Sequence, residues 1–102
     1  MAENPGVLQV SYRTSRFGPP DHVVTIRVDR WDWQEGPMTP TEQDGETWDW
    51  QIQVDFDQDP HFEFKLFLDG EHWMAGWNQS GNATYPPLLM SYNDDNVVWE
   101  GI

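Results

Sequence analysis

Cysteine is absent from this chain of 102 residues, which excludes disulfides, thiolate nucleophiles and Cys-based zinc sites. Basic residues are scarce: five stand against 18 acids, a net charge of −13. Phosphate recognition needs clustered Lys and Arg, so nucleic acid and anionic membrane surfaces are excluded as partners. No stretch is apolar for long enough to cross a bilayer. The opening Met1-Ala2-Glu3-Asn4-Pro5 has no apolar run, so no secretory signal is visible and the compartment stays open. Helical periodicity of useful length is missing as well.

Aromatics, in contrast, are plentiful. They form 15% of the chain and include seven tryptophans, more than one small core absorbs. Some should therefore be exposed, and exposed aromatics mark recognition surfaces. The high acidity keeps such a surface soluble and suits a neutral ligand.

The chain is the size of one domain, spanning 1–102. Short runs of β-branched and aromatic residues alternate with Gly, Pro and Asp clusters. Strands are expected at Val7–Tyr12, His22–Val28, Thr47–Val54, His61–Leu68, Glu71–Ala75, Leu88–Tyr92 and Asn96–Gly101. Loops are expected at Ser15–Asp21, Trp31–Gly45 and Gly76–Pro87, an acidic turn at Asp55–Pro60, and a hairpin turn at Asp69-Gly70. This pattern predicts an all-β fold, an antiparallel immunoglobulin-like β-sandwich of about seven short strands. Period two puts Trp48, Trp50, Ile52 and Val54 on a core face. It points Phe62, Phe64, Leu66 and Leu68 inward, and leaves Lys65 outward beside an exposed Phe67.

Catalysis finds little support. A domain this small has little room for a deep cleft, no carboxylate sits in an apolar run, and no nucleophile–base motif appears. Asp55, Asp57 and Asp59 lack the glycine and distal glutamate of a calcium loop, with Pro60 and Leu66 in those places. His22, His61 and His72 fall on separate strands. The expectation is a non-enzyme with no metal and no cofactor.

The most specific segment is Phe62-Glu63-Phe64-Lys65-Leu66-Phe67-Leu68-Asp69-Gly70-Glu71-His72-Trp73. It resembles the hairpin of starch-binding domains of family 20 and of the glycogen-binding modules of family 48. Those carry an aromatic–x–aromatic–Lys strand, an Asp-Gly turn and a following Trp. Family starch-binding domains also place an Asn five residues after that Trp, the spacing of Trp73 and Asn78. The family's loop Trp after the second strand is matched by Trp31 or Trp33, its Trp before the Lys hairpin by Trp48 or Trp50, and its terminal Asn-apolar-apolar by Asn96-Val97-Val98. The family's Gly before the loop Trp is replaced here by Arg30-Trp31-Asp32-Trp33. The resemblance implies non-catalytic binding of an α-glucan (starch, glycogen or maltooligosaccharide) by a module attached to, or associated with, a larger enzyme. It also implies a site drawn from Trp31, Trp33, Lys65, Trp73, Trp77 and Asn78.

Chemistry agrees with it. A glucose ring offers an apolar face to an indole, and its hydroxyl rim suits a Lys ammonium, Asn amides and carboxylates. Two angled platforms suit the curve of an α-glucan. Each aromatic also has a plainer reading. Trp48 and Trp50 read as core, Trp99 as core or sandwich edge, and Trp31 or Trp33 as a loop plug. Two rival functions stay open: a protein–protein interaction sandwich, and a module for another glycan such as a β-glucan.

Overall fold

The computed structural model describes residues 6–102. Met1–Pro5, read above for the absence of a signal, lie outside the described residues.

Among the described residues, nine strands form two packed sheets: β1 (Gly6–Thr14), β2 (Val24–Val28), β3 (Glu35–Pro37), β4 (Thr39–Glu42), β5 (Trp48–Phe56), β6 (His61–Leu68), β7 (His72–Trp73), β8 (Gln79–Asn82) and β9 (Leu88–Asn93). One sheet runs β4-β5-β1-β9. The other runs β3-β2-β6, with β7 and β8 following one another along the far edge of β6. The predicted all-β sandwich is what the chain forms. Its pairings are antiparallel except for one: β9 lies parallel to β1, from Leu8 opposite Leu88 to Arg13 opposite Asn93. That pair joins segments about eighty residues apart, so no local turn signal foretells its direction.

Alternation builds the core. Phe62, Phe64, Leu66 and Leu68 of β6 and Val24, Ile26 and Val28 of β2 are fully buried, facing Leu8, Val10 and Tyr12 of β1 and Trp50, Val54 and Phe56 of β5. Buried aromatic heads find partners. Trp50 Nε1 donates to the Phe17 carbonyl at 2.9 Å, and the Tyr12 hydroxyl donates to Asp94 at 2.6 Å. Trp99 Nε1 reaches the Tyr12 oxygen at 3.4 Å. Trp50 and Trp99 are core residues, whereas Trp48 is half-buried with its ring against Gly18.

Several local expectations change. The predicted loop 31–45 contains β3 and β4, and the loop 76–87 contains β8. These are short edge strands rich in Gly, Pro and polar residues, held by backbone pairing rather than by side-chain pattern. Residues 96–101, expected as a strand, contribute one isolated bridge between Met74 and Trp99. Asn96 instead closes a turn, its side-chain oxygen accepting from the Asn93 amide at 2.8 Å.

Candidate functional site

The candidate residues gather on the outer face of the β3-β2-β6-β7 sheet. Because β6 points Phe62, Phe64, Leu66 and Leu68 inward, Glu63, Lys65 and Phe67 must point outward. Their register with β2 sets Thr25 opposite Phe67 and Arg27 opposite Lys65. Glu35 of β3 lies opposite Arg27 on the next strand.

The turn after β6 puts Trp73 on this face. Asp69 and Gly70 both have positive φ, 55° and 67°, as a type I′ turn requires. Asp69 tolerates this because its carboxylate accepts from the Val23 amide at 2.8 Å and lies 2.8 Å from His22 Nδ1. The return strand then pairs Trp73 with Phe67. Their rings meet edge to face at 4.9 Å, and the Arg27 guanidinium lies 4.2 Å from the Phe67 ring centre and 5.2 Å from that of Trp73. Phe67 is thus only 5% exposed, not open as its period predicted. Sequence alternation gives the face a residue points to, but not what lies over it.

Trp31 and Trp33 part company. A 3-10 turn over Asp29–Trp31 ends in two left-handed residues, Asp32 at φ 58° and Trp33 at 60°. A non-glycine residue in this region costs about 1 kcal/mol. The turn is tied at several points. Asp29 accepts from the Glu63 amide at 3.1 Å, Arg30 stacks 4.4 Å over Phe56 and donates to the carbonyls of Asp59 and His61, and Trp33 donates its amide to the Val28 carbonyl at 3.1 Å. Trp31 packs against the core, and a methyl group on Gly36 would overlap its ring. Gly36 lies opposite the inward-facing Ile26, so Trp31 fills the place of a missing core side chain, as a loop plug does. The Trp33 carbonyl accepts from Arg27 Nη1 at 2.8 Å, which ties this residue to the outer face.

Lys65 is half-buried, and its ammonium makes no hydrogen bond or ion pair with any described residue, in a chain with 18 acids. Asn78 donates to Glu63 Oε1 at 3.0 Å and so stands beside the Lys65 strand. Trp77, next to it, is 91% exposed after a left-handed Gly76 at φ 96°. The structure therefore gathers Lys65, Trp73 and Asn78 about one sheet face, anchors Trp33 to that face through its carbonyl, and puts Trp31 on the core side. Arg27 and Glu63 belong to the same cluster, though the sequence alone does not single them out. Their only signal is outward period-two placement on strands whose alternate residues are apolar.

A separate hollow of about 490 Å³ lies on the other sheet, lined by Gln9, Ser11, Gln51, Gln53 and Ser91 with Leu89 at its side. Its polar groups bond to each other, Gln9 to Gln53 at 3.1 Å and Ser11 to Ser91 at 3.3 Å. No aromatic ring lines it, so it lacks a platform for a sugar face.

No protein-family model and no curated protein matches the sequence. Among solved structures, the chain is similar to a glycoside hydrolase family 15 glucoamylase from Hypocrea jecorina. The TM-score is 0.65 at 12% identity, over 98% of this chain and 18% of that one. It is also similar to γ-CGTase from alkalophilic Bacillus clarkii, with a TM-score of 0.55 at 18% identity, over 85% of this chain and 15% of that one. The chain thus spans less than a fifth of either protein, and at these identities the likeness establishes its fold as a sandwich of the kind those two enzymes contain.

Proposed function

We propose that this chain is a non-catalytic carbohydrate-binding module for α-linked glucose polymers, working as an appendage of a larger enzyme. The observation that carries this reading is Lys65. It is a half-buried residue whose ammonium has no partner among the described residues, on the same outer face as Trp73 and between the Trp33 loop and Asn78. The acids of this face, Glu35 and Glu63, are engaged by Arg27 and Thr25 and by Asn78, and neither pairs with it. This ammonium is free to meet sugar hydroxyls instead.

The roles follow from the chemistry. Trp73 stacks on one glucose ring and Trp33 on another further along the curved chain. Lys65, Asn78 and Glu63 bond the hydroxyl rim between them, and the exposed Trp77 extends the surface. Trp31 stays a loop plug. The loop is tied down before ligand arrives, which lowers the ordering cost of binding. The two structural neighbours bear the names of α-glucan-acting enzymes and are far longer than this chain, which supports the appended-module reading. A shallow site of this kind binds at roughly micromolar to millimolar Kd, about −4 to −8 kcal/mol.

The test is a titration with maltoheptaose, β-cyclodextrin and cellohexaose, followed by tryptophan fluorescence. Response to the two α-glucans is expected. Silence toward both sinks the reading and turns attention to a protein partner, and a response to cellohexaose alone assigns the module to β-glucans.

A further inference from the structure

We infer that Arg27 is the positioning residue of this surface: one guanidinium fixes the Trp73 ring relative to the Trp33 loop. The inference rests on the α-glucan reading above and deepens it.

Arg27 touches both halves of the site. Its guanidinium lies over the Phe67 ring at 4.2 Å and near the Trp73 ring at 5.2 Å. The same group donates Nη1 to the carbonyl of Trp33, the residue held at φ 60°. Glu35 sits 3.6 Å from Nη2 and is itself fixed by the Thr25 hydroxyl at 2.9 Å. Nε is buried without any hydrogen-bond partner among the described residues. A buried donor left unmade is unfavourable. The rings and the Trp33 carbonyl thus set the plane of the guanidinium, at the expense of Nε. With Nε buried, Nη1 on the Trp33 carbonyl and Nη2 beside Glu35, Arg27 acts through its neighbours. The planar fork can stack and donate sideways together, and an ammonium cannot do both.

A ligand that spans both platforms depends on their relative setting, and a ligand on one platform does not. The experiment compares native protein, Arg27→Met and Arg27→Lys in near-UV circular dichroism without ligand, and in titrations with β-cyclodextrin and maltose. Both variants, and Trp73→Phe as a control, are expected to lose tryptophan near-UV bands. Affinity for β-cyclodextrin is expected to fall about tenfold or more, and that for maltose less than about threefold. Unchanged bands, or equal effects on the two sugars, overturn the inference. Should Arg27→Met fail to fold, Arg27→Lys decides by the same readouts. Native protein silent to both sugars sinks the glucan reading alone, since the bands of the unliganded protein still decide whether Arg27 orients the indoles.

Discussion

Arg27 and Lys65 stand directly opposite one another across the β2–β6 ladder, two cations in register in a chain that has five. Like charges in this position repel. The charge of Arg27 is taken up by Glu35 and by the rings of Phe67 and Trp73. That of Lys65 is not, and carboxylates are abundant enough that one could have been placed beside it.

Stability and binding should therefore move in opposite directions at Lys65. Lys65→Met keeps the aliphatic stem and removes the repulsion, so the fold should be unchanged or stabilised by up to about 0.5 kcal/mol. Maltoheptaose affinity should fall about fivefold, roughly 1 kcal/mol, the net worth of one ordinary hydrogen bond in a wet site. Urea denaturation and fluorescence titration read the two quantities. A less stable variant with native affinity would make Lys65 a structural residue.

Trp73 should weigh most in binding. Trp73→Ala removes a stacking platform and should weaken α-glucan affinity by about 2 kcal/mol or more, roughly thirtyfold. The fold should survive with a loss of about 1 kcal/mol, because the variant uncovers the Phe67 ring but opens no cavity in the core. Unfolding by this change would show that the residue is scaffold. A parallel Trp33→Ala should weaken binding of maltoheptaose more than that of maltose.

Trp31 is expected to act on stability alone. Gly36→Ala forces a methyl into the Trp31 ring and should cost about 1–3 kcal/mol, as overpacking does. Trp31→Leu with Gly36→Ala should recover part of that loss, giving a coupling energy of about 0.5 kcal/mol or more in a double-mutant cycle. Simple additivity would mean that the two residues do not share this space.

How far these features show in the sequence depends on which force makes them. β6 is legible to the residue, since four large apolar side chains alternate with outward ones from His61 to Leu68. The Asp69-Gly70 turn is legible because few residues adopt positive φ readily. Together they place Lys65 and Trp73 by counting. β3, β4 and β8 are not legible, because Glu35-Gly36-Pro37, Thr39-Pro40-Thr41-Glu42 and Gln79-Ser80-Gly81-Asn82 carry no apolar pattern and owe their form to a neighbour's backbone. The same holds for Arg27. A cation outward on a strand reads as solvated, and only the fold shows two aromatic rings and a loop carbonyl around it. The division of labour between Trp31 and Trp33 hinges on two successive left-handed residues, Asp32 and Trp33, and a tryptophan does not announce such a turn.

The last prediction concerns alkaline pH. Burial, reinforced by the Asp94 carboxylate, pushes the Tyr12 phenol up to about 12, and burial alone does the same for Tyr92. In the unfolded chain both phenols ionise near pH 10. Between these values the folded protein holds more protons than the unfolded one, so stability falls as pH rises. The contribution is complete below pH 10 and is lost as pH climbs through 10 toward about 12. Urea midpoints should hold level from pH 7 to about pH 9.5 and drop steeply above it. Tyr12→Phe should flatten that drop. It should also lower stability at neutral pH by about 1–3 kcal/mol, because Asp94 Oδ1 and Trp99 Nε1 lose their shared partner while Asp94 Oδ2 keeps Thr14 and the Ser15 amide. A variant with the native alkaline slope would show that Tyr12 ionises freely in the fold.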